Sequence, residues 1–70
     1  MKYVGIKQVL KAVEEGDVKT VYIGDDAEEH VTAQLVKLCK EKKIVVKHIP
    51  TMEELGRLAG IDVKASAAAE

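Results

Sequence analysis

The segment Gly5-Ile6-Lys7-Gln8-Val9-Leu10-Lys11 carries the residues of this chain best suited to chemistry. Ile6, Val9, Leu10 and Val13 recur at helical spacing and face a core, which leaves Lys7, Gln8 and Lys11 together on the opposite side. Two lysines four residues apart repel one another, and at the amino end of a helix they also oppose its dipole. A helix start that gathers positive charge is poised for an anion, most commonly a phosphate. Two solvated surface lysines account for the same residues with no ligand at all. Asp25 and Asp26 pose a second chemical question, because paired carboxylates after a strand can hold magnesium in phosphoryl-transfer domains. Helix capping by Asp26 explains them without a metal, and no third acid, active lysine or phosphate loop accompanies them. Cys39 falls on an apolar helix stripe and reads as core, while His30 and His48 lack metal-ligand spacing. No catalytic residue, metal or cofactor is therefore expected.

The elements that must position these residues follow from periodicity and punctuation. Tyr3-Val4 is a very short strand, and the helix after it stops at Gly16-Asp17. Lys19 to Ile23 is a β-branched strand, turned by Gly24-Asp25-Asp26. The next helix runs from Ala27 to Lys42 with Val31, Leu35, Leu38 and Cys39 buried, and Asp26 with Glu29 forms its capping box. Ile44 to Ile49 is a strand closed by Pro50. Thr51 and Glu54 repeat the capping-box pattern before a short helix that buries Met52, Leu55 and Leu58 and ends at Gly60. The tail from Ser66 to Glu70 is an edge strand or a frayed end, since alanine has weak strand propensity.

Alternating elements of this kind predict one domain over residues 1–70, of the α/β class. The expected architecture is a small three-layer α/β/α sandwich with a short mixed, largely parallel sheet. In such sheets ligands gather at the carboxyl ends of the strands, where the Gly5-Lys7 and Gly24-Asp26 turns belong. Lys40, Lys42 and Lys43 precede a strand and fall at the opposite edge, as a solvated helix end.

Composition narrows the function classes. Among 70 residues there is one cysteine, so no internal disulfide forms and a reducing, cytoplasmic setting is expected. No apolar run is long enough to span a bilayer, and no signal-peptide pattern opens the chain. A net charge of −1 argues against a general polyanion binder, so nucleic-acid binding would rest on a local patch. With Tyr3 and Tyr22 the sole aromatics, a multi-base stacking platform is excluded.

Several stretches carry a resemblance that runs in register over nearly the whole chain. Gly5 to Gly16 resembles the opening helix of the L7Ae ribosomal protein family of kink-turn RNA binders, most of all its small bacterial YbxF-type members. Val21-Tyr22-Ile23-Gly24-Asp25-Asp26-Ala27 and Leu38-Cys39 match further along. Leu55-Gly56-Arg57-Leu58-Ala59-Gly60-Ile61-Asp62-Val63 is similar to the family's leucine-glycine-basic segment and the loop that follows it. The resemblance implies a non-catalytic protein that binds sharply bent RNA duplexes with tandem sheared G·A pairs beside a bulge. It implies that Gly5 lets the backbone approach closely, that Lys7 and Gln8 contact guanine edges, and that Lys11 holds a phosphate or base edge. Ile61, Asp62 and Val63 would cover the bulge nucleotides, with Lys64 available to the RNA backbone. A monomer acting on structured RNA, ribosomal or riboswitch-type, with no membrane partner, is the expectation. A protein-interaction module of a ribonucleoprotein is the alternative, with the magnesium-dependent phosphoryl-transfer or signalling domain behind it.

Overall fold

The computed structural model describes residues 1–70. The chain folds as β1 (Tyr3–Val4), α1 (Ile6–Glu14), β2 (Thr20–Gly24), α2 (Glu29–Lys42), β3 (Val45–Ile49), α3 (Met52–Ala59) and β4 (Ala67–Ala69). The four strands form one mixed sheet in the order β1-β4-β2-β3. Side chains alternate across the pleat, so each strand feeds both faces. Val21, Ile23, Ala67 and Ala69 meet Val9 and Val13 of α1 and Leu35 and Cys39 of α2 on one face. Leu55 of α3 meets Ala68 on the other, with Tyr22, Val4 and Ile49 around them. The result is the expected α/β/α sandwich. No helix is long and apolar enough to cross a membrane.

Helix ends follow the sequence signals at Gly16, Thr51 and Gly60 and depart from them at Asp26. Gly16, at φ 71°, turns the chain after α1, and the Gly16 and Asp17 amides donate to Val13 and Ala12 carbonyls. Thr51 caps α3, its hydroxyl accepting from the Glu54 amide at 3.1 Å. Asp26, by contrast, does not cap α2. The turn continues through Ala27, and Glu28 becomes the N-cap with no side-chain bond. The Asp26 carboxylate instead accepts from the Met52 amide at 2.8 Å, tying the β2 turn to the start of α3.

The chain's last residues depart furthest from expectation. Ser66–Glu70 supplies neither an edge strand nor a frayed end, because β4 lies between β1 and β2. Its pairing with both neighbours is antiparallel, so only β2 with β3 is parallel and the sheet is not largely parallel. The physical cause is the loop after α3. The Ile61 amide donates to Gly56 O, and the Ala65 amide donates to Met52 O at 3.0 Å. The loop therefore climbs back along α3 to the helix's beginning and enters the sheet from the carboxyl edge of β2. Ala67, Ala68 and Ala69 are all fully buried, since helices cover both faces of this central strand. Leu58, expected in the core, is 58% exposed, because Gly56 and Ala59 occupy the inward flank of α3.

Candidate nucleic-acid interface

Three ladder bonds gather the site at one edge of the sheet. Gly5 N donates to Ala67 O at 2.9 Å, Gly24 N donates to Ser66 O at 3.1 Å, and Asp25 N donates to Ile49 O at 2.8 Å. The carboxyl ends of β1, β2 and β3 thus flank the point where β4 begins. The amino end of α1 and the last turn of the 61–65 loop meet there.

Gly5 makes the sharp turn from β1 into α1. Its φ of 101° and ψ of 147° lie in a region that essentially only glycine occupies. A Cβ there would meet nothing within 4 Å, so the requirement is conformational and not steric. The first turn of α1 has no side-chain cap and no acidic residue. The earliest helical amide bond is Val9 N to Gly5 O, which leaves the amides of Ile6, Lys7 and Gln8 directed outward. Lys7, Gln8 and Lys11 are exposed, and neither lysine forms an ion pair. Free amides, the helix dipole and two unpaired ammonium groups together make this end attractive to an anion or to a base edge rich in acceptors.

The loop that follows α3 is positioned by a contact whose role sequence reasoning did not assign. At Gly56, a Cβ would be driven into the Val63 carbonyl oxygen and would lie 3.0 Å from Val63 C and 3.2 Å from Lys64 Cα. Helix and loop are therefore in backbone contact, possible because residue 56 has no side chain. An isolated glycine within a helical pattern is the available sequence signal, since it lowers helix stability and commonly has a packing reason. Gly24 plays a similar part at the end of β2, where a Cβ would lie 2.7 Å from Met52 Cγ. Along the loop, Ile61 is half-buried, whereas Asp62, Val63 and Lys64 are exposed. Val63 is an apolar side chain 68% open to solvent, held on an ordered backbone.

Charges at this edge are partly committed. His48 Nδ1 lies 2.7 Å from Asp25 Oδ1, and Asp26 is bonded to Met52 N, so the two carboxylates serve different elements. At the far end of α1, Tyr3 donates its hydroxyl to Asp17, and Lys2 approaches the same carboxylate at 3.3 Å. The Tyr3 bond first, and then Lys2, hold the Asp17 carboxyl below its ordinary value, and the carboxylate pushes the Tyr3 phenol up. Burial pushes the Cys39 thiol up, which suits a core residue and not a nucleophile. Lys40, Lys42 and Lys43 end α2 and lead into β3, away from this edge.

Comparison with known proteins places these features in context. Residues 3–70 match the model of the Ribosomal protein L7Ae/L30e/S12e/Gadd45 family. An RNA-binding protein of Caldanaerobacter subterraneus subsp. tengcongensis is 52% identical over 69 residues, covering 99% of this chain and 84% of the relative. Two solved structures superimpose over 94% of the chain. One, a protein of unknown function from Bacillus halodurans, has a TM-score of 0.85 at 32% identity. The other, a 15.5 kD RNA-binding protein of Giardia lamblia, has a TM-score of 0.87 at 27% identity. This chain spans 66% and 56% of those two proteins.

Proposed function

The chain belongs to the Ribosomal protein L7Ae/L30e/S12e/Gadd45 family, and on that premise we propose that it binds kink-turn RNA and stabilises the bent form. RNA binding without catalysis rests on family membership and on the named relatives. The kink-turn as target rests on the resemblance of residues 5–16 and 55–63 to kink-turn RNA binders, and the arrangement of the edge supports it. The carrying observation is the union there of an uncapped helix start, bearing Lys7, Gln8 and Lys11, with a backbone-braced loop that ends at β4.

Ordinary A-form RNA hides its major groove from side chains, whereas tandem sheared G·A pairs open it. Gly5 allows the helix start to approach. Lys7 and Gln8 read guanine edges, for which lysine is suited because O6 and N7 are both acceptors. Lys11 holds a phosphate or a further base edge. Ile61, Asp62 and Val63 cover the bulge, with the exposed Val63 offering an apolar surface to an unstacked base and Lys64 facing the RNA backbone. Phosphate contacts alone give affinity without choice, while base-edge and loop contacts favour RNA already bent. The protein thus shifts an RNA equilibrium. A monomer in the cytoplasm, with a ribosomal or regulatory RNA as partner, is the setting this reading implies.

Two substitutions test the assignment. Lys7→Ala costs roughly 1–3 kcal/mol of binding free energy if Lys7 reads a base edge. Lys11→Ala lowers the salt slope of binding by about one if its contact is a phosphate alone. Unchanged binding in both variants refutes the site.

A further inference from the structure

β3 closes the sheet on the side away from β1, and no strand of the chain lies beyond it. In a parallel pair, alternate residues of a strand turn both backbone groups toward the neighbour, and the residues between them turn both outward. The Val45 amide donates to Lys19 O and Ile49 O accepts from the Asp25 amide, so the odd-numbered residues of β3 serve β2. The N–H and C=O groups of Val46 and His48 therefore point away from the sheet, an open edge for one more strand. The side chains of β3 are open as well. Val45 is 55% exposed, and Lys47 and His48 are exposed. Val45, Lys47 and Ile49 share the α3 face, where the Lys47 ammonium lies 5.9 Å from the centre of the Tyr22 ring. Charge along this edge is nearly all of one sign. Glu41 is the only acid from Lys37 to Ile49, and Lys40, Lys42, Lys43 and Lys47 form no ion pair.

We propose that the free edge of β3 takes up an extended acidic segment of a partner protein, which adds a fifth strand to the sheet. Backbone and charge together select this occupant. A second copy of the chain, paired through the same edge, would bring Lys42, Lys43 and Lys47 against their own counterparts, and like charges facing each other destabilise a strand pair. RNA offers phosphates to the lysines but has no alternating N–H and C=O groups to satisfy Val46 and His48. A peptide strand supplies those groups, and its carboxylates supply the missing counter-charge. The register follows from the pleat. In an antiparallel pairing Val46 and His48 take the hydrogen-bonded positions, and Val45 and Lys47 take the intervening ones, where facing side chains are closest. The partner thus places an acid opposite Lys47, an apolar side chain two residues later opposite Val45, and further acids beside Lys42 and Lys43. β3 is the strand farthest in the sheet from β1, and hence from the start of α1, so the proposal does not depend on the RNA-binding reading.

The test uses the whole chain and a short synthetic peptide whose order is glutamate, threonine, valine, threonine and then a run of aspartates. A second peptide of the same sequence is N-methylated at the amides that would bond to Val46 and His48, which removes main-chain pairing and leaves the charge intact. In an amide NMR titration the first peptide shifts Val46 and His48 and slows hydrogen exchange at both. N-methylation weakens binding about tenfold or more. Lys47→Glu weakens it by roughly three- to tenfold, and a peptide with lysine in place of its glutamate recovers binding to that variant. Lys47 is exposed, so the variant keeps its fold, and the N-methylated peptide needs no variant at all. Equal binding of the two peptides marks charge attraction without strand pairing and overturns the proposal, as does the absence of any shift with the first. Concentration-dependent shifts at Val46 and His48 in the chain alone identify a second copy as the occupant and also overturn it. A uridine oligonucleotide that reproduces the peptide's shifts does the same in favour of RNA.

Discussion

Replacing Gly56 with alanine is the perturbation whose outcome the structure fixes most tightly. Helix propensity alone predicts that Gly56→Ala stabilises α3 by roughly 0.5–1 kcal/mol. Packing predicts the reverse. The new methyl would collide with the Val63 carbonyl oxygen and crowd Val63 C and Lys64 Cα at 3.0 and 3.2 Å, and all three are backbone atoms. A flexible side chain could swing aside, but here the helix or the 61–64 loop must move as a unit. Overpacking costs roughly 1–3 kcal/mol, and a backbone obstacle belongs in the upper half of that range. Subtracting the propensity gain leaves a net loss of about 1–2.5 kcal/mol. For a domain of this size that lowers Tm by roughly 5–15 °C. Thermal unfolding by circular dichroism measures it directly. The displaced loop also carries Val63 and Lys64, so affinity for kink-turn RNA falls below the wild-type value at temperatures where both proteins are folded. A variant as stable as the wild type, or more stable, refutes the argument, because propensity would then outweigh a contact that does not exist as described.

Three further outcomes follow from other positions. Gly5→Ala has room for its methyl but not for its backbone angles, so it costs roughly 1–3 kcal/mol in stability and weakens RNA binding by tilting α1; chemical denaturation and RNA titration read the two effects. Lys43 holds a left-handed conformation at φ 59° after α2, where glycine is favoured, so Lys43→Gly stabilises by about 1 kcal/mol and raises Tm. Because Lys43 lies at the far edge, the same variant leaves kink-turn affinity nearly unchanged, and a large loss of affinity would move the site. Asp17, held below its ordinary carboxyl value by Tyr3 and Lys2, contributes stability that is complete above its unfolded value and is lost as pH falls through the lower folded value. Asp17→Asn therefore flattens the acid limb of a stability-against-pH curve, and an unaltered limb contradicts the pairing.

Much of this arrangement is legible in the sequence, for reasons that differ by element. The inward stripe of α1, with Val9 and Val13, is a helical period of branched residues, and Gly16 and Gly60 mark helix ends because left-handed backbone suits glycine. Thr51 with Glu54 is a local signal, and local geometry honours it. Asp26 shows where such signals mislead. Its spacing to Glu29 fits a capping box, yet the turn through Ala27 carries its carboxylate to a helix more than twenty residues away. β4 was hidden for a deeper reason. Alanine has little preference for strands, and Ala67-Ala68-Ala69 is a central strand because small side chains let helices close over both of its faces. That information belongs to the layers around the strand. The re-entry of the 61–65 loop along α3 has the same character, since it depends on Gly56 meeting a backbone seven residues away.

The direct test of the central claim is binding to a kink-turn RNA at fixed salt, beside the same RNA with its tandem G·A pairs replaced by Watson–Crick pairs. Recognition of the opened groove by the amino end of α1 predicts tight binding to the first RNA and only weak, strongly salt-dependent binding to the second. Equal affinity for both would contradict it, reducing the lysines of α1 to a phosphate-binding patch with no preference for bent RNA.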